Sequence, residues 1–257
     1  MTEPRVLLYD IESAPITAYV WQRYNVDNVT GVAQDWYLLS VAWKWLGAKR
    51  TQALSLDQCE RRDPCDDLVI AEQIHELFDQ ADIVVAHNGN RFDQAKARTR
   101  MAVHGLAPPS RFQEVDTLMV ARGNFAFSSN KLDDLGEALG LGRKMDTGGF
   151  GLWLGCMAED PRAWAKMRRY NRSDVELLEA IYLALRPWMP RHPNMALLSD
   201  RPNACPKCGS EEGMILRGYR NNAVTRRAQY QCKACGGYCA GGPLEKPKLT
   251  YRPTYVP

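Results

Sequence analysis

Asp10 and Glu12 close an apolar run, RVLLYDIES, at residues 5–13. If that run is a β-strand, its side chains alternate, and carboxylates two apart leave the same face. The triplet alone carries little, since Asp174 and Glu176 form another. Asp93 lies in HNGNRFD, just after a second apolar run at 82–87 and where a helix would begin. The helix macrodipole by itself favours an acid there. Tyr170 and Asp174 stand four apart, hence on one face of a helix. Of eleven tyrosines, only Tyr170 has an aspartate four positions later. Four acids drawn to one place would repel, by about 4 kcal/mol per pair at 4 Å and an effective dielectric near 20. Such a cluster calls for cations. An all-oxygen ligand set suits hard ions such as Mg²⁺ or Mn²⁺.

In this order and spacing the three segments resemble the motifs of the DEDD superfamily of 3′-to-5′ exonucleases, whose fold is RNase H-like. YDIES with Asp10 and Glu12 looks like the first motif. HNGNRFD, with Asn88 followed after three residues by Phe92–Asp93, looks like the second. YNRSDVELLEA with Tyr170 and Asp174 looks like the third, in its tyrosine variant; the histidine variant needs His where Arg169 stands. The resemblance covers roughly residues 5–185, and KLDDLGEALGLGRKMDTGGFGLW is similar to stand-alone phage and bacterial members. The stretch 19–35 resembles nothing nameable.

The resemblance implies phosphodiester hydrolysis with two Mg²⁺ or Mn²⁺ ions, which would activate water and stabilise the attacking and leaving oxygens. It implies that Asp10 bridges both ions, that Glu12 and Asp174 hold the first, and that Asp93 reaches the second. Tyr170 would orient the attacking water, because a phenol with pKa near 10 is a poor base. Asn88 and Phe92 would help seat the terminal nucleotide. Asp116, Asp133 and Asp134 read as strand-end and helix-start acids, and His87 as a core histidine. Phe150 and Trp153, in a Gly-rich stretch at 148–155, could stack a base or simply pack a loop.

Five of the eight cysteines fall in the last fifth of the chain. Cys205-x2-Cys208 and Cys232-x2-Cys235, separated by 23 residues, read as two knuckles closing one structural Zn²⁺ site. Cys239 is surplus, and Cys59, Cys65 and Cys156 read as reduced thiols. Between the knuckles Arg217, Arg220, Arg226 and Arg227 alternate with Tyr219 and Tyr230, a composition suited to nucleic-acid backbone and bases; a basic face that only folds is the plainer reading. Residues 201–257 carry ten Lys and Arg against three Asp and Glu, a net +7, which leaves residues 1–200 at −4.

The elements that must position these residues follow from periodicity. Strands are predicted at 5–13, 36–46, 51–56, 82–87 and 115–118, and helices at 67–80, 92–105, near 117–122, 131–139 and from Pro161 to 185. That order describes an α/β, RNase H-like mixed sheet flanked by helices, plus a small C-terminal zinc ribbon. The expected organisation is an exonuclease domain over 1–186, a Pro-rich linker over 187–203, the ribbon over 204–242 and a Pro-rich tail over 243–257. No run reaches the roughly 20 apolar residues of a membrane span, and MTEPRVLLYD lacks a signal-peptide core. A cytoplasmic address is expected, in the host if the chain is phage-encoded. The substrate expected is nucleic acid, single-stranded DNA or its 3′ ends. A structure-selective RNase H-like endonuclease, an RNA-directed exonuclease and a catalytically idle nucleic-acid-binding adaptor are the alternatives.

Overall fold

The computed structural model describes residues 3–22, 24, 29–89, 91–221 and 225–243. The described residues form two compact units, one over residues 5–182 and one comprising residues 3–4 with those from 183 onward.

The larger unit begins with β1 (Val6–Ser13), a short hairpin of β2 (Thr17–Tyr19) and β3 (Gly31–Gln34), then β4 (Leu38–Trp45) and β5 (Gln52–Ser55). Helix α1 (Leu68–Asp79), β6 (Ile83–Ala86), α2 (Asp93–Val103), β7 (Gln113–Asp116) and α3 (Thr117–Asn124) follow. Three further helices complete it: α4 (Leu132–Ala138), α5 (Gly151–Met157) and the long α6 (Pro161–Leu185). The sheet order is β5-β4-β1-β6-β7, with β1 antiparallel to β4 and parallel to β6. This is the mixed sheet flanked by helices that the periodicity implies. β2 and β3 flank the stretch at 19–35 for which the sequence offered no counterpart, and residues 23 and 25–28 of it lie outside the described residues.

Alternation along β1 divides its work. Leu7, Tyr9 and Ile11 enter the core with Ile70, Ile74, Leu77 and Phe78 of α1. Those α1 positions recur at helical spacing, which gives the helix one apolar stripe. Tyr9 meets Phe78 edge-on at 5.2 Å between ring centroids, and each such buried side chain contributes about 1.5–3 kcal/mol. The opposite face of β1 is left for Asp10 and Glu12. Helix α6 starts as its sequence dictates, with Pro161 at the first position and Asp160 Oδ1 accepting from the Arg162 N–H at 3.0 Å.

Three boundaries differ from the periodicity. β7 ends at Asp116, and α3 starts at Thr117 because Asp116 caps it, accepting from Leu118 N–H at 3.0 Å and Met119 N–H at 3.3 Å. The predicted strand at 115–118 is therefore displaced by that cap. The Gly-rich stretch read as loop contains α5, which buries Leu152 and Cys156. Residues 187–203, read as linker, carry a 3-10 turn at Arg186–Trp188 and α7 (Met195–Leu198) and belong to the smaller unit. The rest of that unit is a three-stranded antiparallel sheet, β8 (Met214–Asn221), β9 (Arg226–Cys232) and β10 (Tyr238–Pro243), in the order β10-β9-β8. Of the Pro-rich tail all but Pro243 lies outside the described residues. No helix among the described residues is long and apolar enough to cross a membrane.

A buried ion cluster ties α1 and α2 to the sheet. Asp67, fully buried, accepts from Leu38 N–H at 2.7 Å, from the Arg100 guanidinium at 2.6 Å and from His104 Nε2 at 2.6 Å. Truncating one partner of a buried pair leaves the other charge uncompensated, at a cost of about 3–5 kcal/mol. Asp67→Ala is expected to lose that much stability in urea unfolding. A loss below about 1 kcal/mol would mean that water reaches Arg100 without rearrangement.

Candidate functional site

β1 and α6 bring two distant parts of the chain to one point, and α2 starts beside it. The carboxylate oxygens of Asp10, Glu12 and Asp174 lie within 4.8 Å of one another. Asp10 and Glu12 reach it because they share one face of β1. Asp174 reaches it from α6, where it interrupts a buried stripe that includes Met167, Leu178 and Ile181 and is itself 1% exposed. A buried aspartate in an apolar stripe is the informative exception to hydrophobic patterning. Asp93 is the first residue of α2 and is buried. Its Oδ1 accepts from Ile11 N–H, between the two β1 acids, at 3.3 Å. It stands beside the triad and is not one of the three converging ligands.

The turn before α2 explains part of the second motif. Asn88 adopts φ +63°, a left-handed conformation that asparagine tolerates, and its N–H donates to Asp116 Oδ1 at 2.9 Å. A Cβ on Gly89 would fall 2.5 Å from Ala86 Cβ, so only glycine fits. This turn sets Asp93 at the helix start. Asp116 is thus a capping acid. His87 has both ring nitrogens engaged, with Thr117 Oγ1 at 2.9 Å and the Asn130 carbonyl at 3.0 Å, and burial pulls its pKa down. Phe92 is exposed at the rim of α2.

Three residues of the site have no spacing signal. Lys144 Nζ lies 2.5 Å from Asp174 Oδ2 and donates to the Tyr170 hydroxyl oxygen at 3.1 Å. Asn171, completely buried, donates to Asp10 Oδ2 at 2.6 Å and accepts from Ser40 Oγ at 3.0 Å. The Trp153 indole N–H donates to Glu12 Oε2 at 3.1 Å. Lys144 sits in a loop whose path the local sequence does not fix. Asn171 neighbours Tyr170 and could have been suspected from its place in the third motif.

Electrostatics follow from crowding. Burial and then the charges of Asp93, Glu12 and Asp174 push the Asp10 carboxyl well above the usual range. Burial, then Asp174, pushes Glu12 up to about 7. Asp93 also rises to about 7, mainly through burial, against the opposing Ile11 N–H. Burial raises Asp174 too, although Lys144 and the Tyr170 hydroxyl oppose it. Burial pulls Lys144 down, but Asp174, Asp10 and Glu12 more than offset this and hold its ammonium form. One ammonium among four carboxylates, Asp93 and Asp174 buried and Asp10 and Glu12 half-buried, leaves a net negative pocket that protons or divalent cations must neutralise. Oxygen ligands at this mutual distance fit a hard divalent ion. The Tyr170 hydroxyl, its pKa raised by burial and by the charge of Asp174, stays protonated and accepts from Lys144.

The smaller unit holds a second metal-type cluster, built from Cys205, Cys208, Cys232 and Cys235. Cys205 Sγ to Cys235 Sγ and Cys208 Sγ to Cys232 Sγ are both 3.8 Å. That is far beyond the ~2.05 Å of a disulfide and equals the edge of a tetrahedron with Zn–S bonds of about 2.3 Å. Each knuckle turns at a glycine of positive φ: Gly209 N–H donates to the Cys205 carbonyl at 2.8 Å, and Gly236 N–H to that of Cys232 at 3.0 Å. Burial raises the Cys232 thiol, but backbone N–H groups of Cys235 and Ala234 outweigh it and hold the pKa below the usual thiol value. The site fits Zn²⁺, and Cys239 lies outside the quartet. On the sheet, Arg220 pairs directly with Arg227, and Arg226 stacks on Tyr219 at 4.1 Å. Arg217 donates to Gln231 Oε1 at 2.9 Å.

Comparison with known proteins agrees with this architecture. The family model described as the RNase H superfamily matches residues 28–186. Among solved structures, the family B DNA polymerase of the hyperthermophilic archaeon Pyrobaculum calidifontis is similar, with a TM-score of 0.50 and 15% identity over 89% of this chain. The chain spans about a third of that polymerase, 34% of its length, and identity this low speaks for the fold alone. No curated protein matches the sequence.

Proposed function

This chain belongs to the RNase H superfamily, and on that premise we propose that it is a metal-dependent nuclease that removes nucleotides from the 3′ end of single-stranded DNA. The observation that carries the reading is the convergence of the Asp10, Glu12 and Asp174 oxygens within 4.8 Å, with Lys144 Nζ joining Asp174 to the Tyr170 hydroxyl. The tyrosine four residues before the last acid supports the 3′-to-5′ exonuclease class by its resemblance to the DEDD tyrosine variant.

Asp10, Glu12 and Asp174 would hold Mg²⁺ or Mn²⁺, with Asp93 completing the set for a second ion. Two such ions supply a water of lowered pKa and charge stabilisation at the attacking and leaving oxygens. Asn171 fixes the Asp10 carboxylate, and Trp153 fixes that of Glu12, so neither ligand is free to rotate. Tyr170 orients the attacking water through its hydroxyl. Lys144 pairs with Asp174 and opposes the rise that burial imposes on its pKa. Tyr170→Phe removes a hydroxyl and no ligand, so its loss of rate should be smaller than that of Asp174→Ala in parallel kcat measurements. Equal losses would give Tyr170 a larger part than orientation.

The ribbon arginines would extend the grip on the strand. Arg220 and Arg227 face each other across β8 and β9, a like-charge pair that is destabilising unless an anion joins it. Each phosphate contact with a single strand contributes about 0.7 to the slope of log affinity against log salt. Arg220→Gln with Arg227→Gln should therefore lower that slope by about 1.4. An unchanged slope would make the ribbon a purely structural module.

The test of the function is digestion of a 5′-labelled linear single strand and of a circular one, with Mg²⁺ or Mn²⁺. The expected result is a ladder of products shortened stepwise on the linear strand and an intact circle. Cleavage of the circle would favour an endonuclease, and binding without hydrolysis would favour an adaptor.

A further inference from the structure

Two fully buried polar side chains, Ser40 on β4 and Asn171 on α6, stand behind the Asp10 carboxylate. Ser40 Oγ donates to Asn171 Oδ1 at 3.0 Å. Asn171 Nδ2 donates to Asp10 Oδ2 at 2.6 Å and to the Asp10 main-chain carbonyl at 3.2 Å. We infer that Ser40 is a positioning residue of the metal centre, acting on Asp10 through Asn171 and setting how tightly the carboxylates take their divalent ions. The inference rests on the metal-dependent reading of the carboxylates and adds a residue that no carboxylate motif contains.

Hydrogen-bond direction is the first argument. An ionised carboxylate only accepts, so Asn171 must turn its amide nitrogen toward Asp10, which leaves its own carbonyl oxygen in need of a donor. The Ser40 hydroxyl supplies that donor where water does not reach, and the three groups form one chain running toward the charge. With Oδ2 held, the carboxylate cannot turn without breaking the shortest bond of that chain. Placement is the second argument. Ser40 pairs with Glu12 across β1 and β4, and Asn171 precedes Asp174 by three residues on α6, hence on the same helical face. The chain therefore ties the strand that carries Asp10 and Glu12 to the helix that carries Asp174. Energetics are the third. Two apolar side chains of the same shape could fill this buried space at little loss of stability, so packing alone does not call for a serine and an asparagine. A carboxylate held in its binding direction does, because hydrogen-bond partners of this kind orient metal ligands.

The test measures Mn²⁺ affinity by calorimetry and metal-free stability by urea unfolding, in Ser40→Ala, Ser40→Thr, Asn171→Leu and the paired Ser40→Ala with Asn171→Leu. Asn171→Leu should weaken Mn²⁺ binding about 10–100-fold, the usual effect of removing a partner that orients a metal ligand. Ser40→Ala should weaken it in the same direction, and Ser40→Thr, which keeps the hydroxyl, should restore it. The paired variant should regain stability close to that of the unaltered chain while its affinity stays low. In an Asp10→Asn background, neither Ser40→Ala nor Asn171→Leu should change the affinity that remains. An affinity that merely follows stability across the series, or an equal loss with and without the Asp10 charge, overturns the inference and leaves the two residues as packing. If Asn171→Leu does not fold, Ser40→Ala against Ser40→Thr decides by itself. Mn²⁺ binding by the unaltered chain with no change in any variant overturns the inference alone, whereas no binding by the unaltered chain overturns the metal centre with it.

Discussion

Asp10→Asn is expected to slow hydrolysis about a thousand-fold, equivalent to about 4 kcal/mol of transition-state stabilisation, while making the metal-free protein more stable. The two effects have one cause. The substitution keeps an oxygen for the 2.6 Å bond from Asn171 and removes the charge that neighbours Asp93, Glu12 and Asp174. Relief of about 1–2 kcal/mol of repulsion raises Tm by about 2–8 °C in a domain of this size. The sign of the pH dependence follows from the raised carboxyl pKa values. A carboxyl whose pKa is higher folded than unfolded penalises the folded state once pH exceeds the unfolded value, and the penalty is complete above the folded one. The Asp10 carboxyl is held well above its usual range by burial and its acidic neighbours, so the gain in Tm should be small near pH 4 and grow as the pH rises toward 8. Calorimetry in chelator across that range checks it. A folded variant with near-normal hydrolysis would remove Asp10 from the reaction centre.

Loss of the thiolate quartet should have the second large effect. Structural Zn²⁺ sites couple about 10–16 kcal/mol of apparent binding free energy to folding, and a three-stranded sheet with so few buried side chains cannot replace it. Beyond the knuckles, Ala228 is the one residue between Met214 and Gln231 that is fully buried among those described. Cys232→Ser should abolish stoichiometric zinc and amide-exchange protection across β8 and β9. Hydrolysis of very short oligonucleotides should persist, because Asp10, Glu12, Asp93, Tyr170 and Asp174 all lie within residues 5–182. Retained protection without zinc would make the cysteines dispensable to the sheet.

The parts legible in the sequence were those where periodicity and chemistry coincide. β1 was readable because its apolar run ends in two acids on one face, and α6 because its stripe continues through Asp174. The knuckles were readable from spacing alone. What was missed depends on packing between distant segments. Lys144 meets Asp174 across 30 residues through a loop with no periodicity, and α5 is a short helix built from glycines and a tryptophan that local propensity does not favour. The 117–118 boundary turned on a cap, since Asp116 serves both as the last strand residue and as the acceptor for the next helix. Residues 187–203, rich in proline, read as linker although Met195 and Ala196 are buried.

A titration of the chain with Mn²⁺ in the calorimeter tests most directly whether these carboxylates form a divalent-metal centre. The account predicts two sites beyond the zinc quartet, with proton release on binding and affinity that rises from pH 6 to pH 8, because Glu12 and Asp93 with pKa values near 7 must give up protons to bind. Asp10→Asn should abolish at least one site and weaken the other. Absence of Mn²⁺ binding, or an isotherm unchanged by Asp10→Asn, would contradict the account.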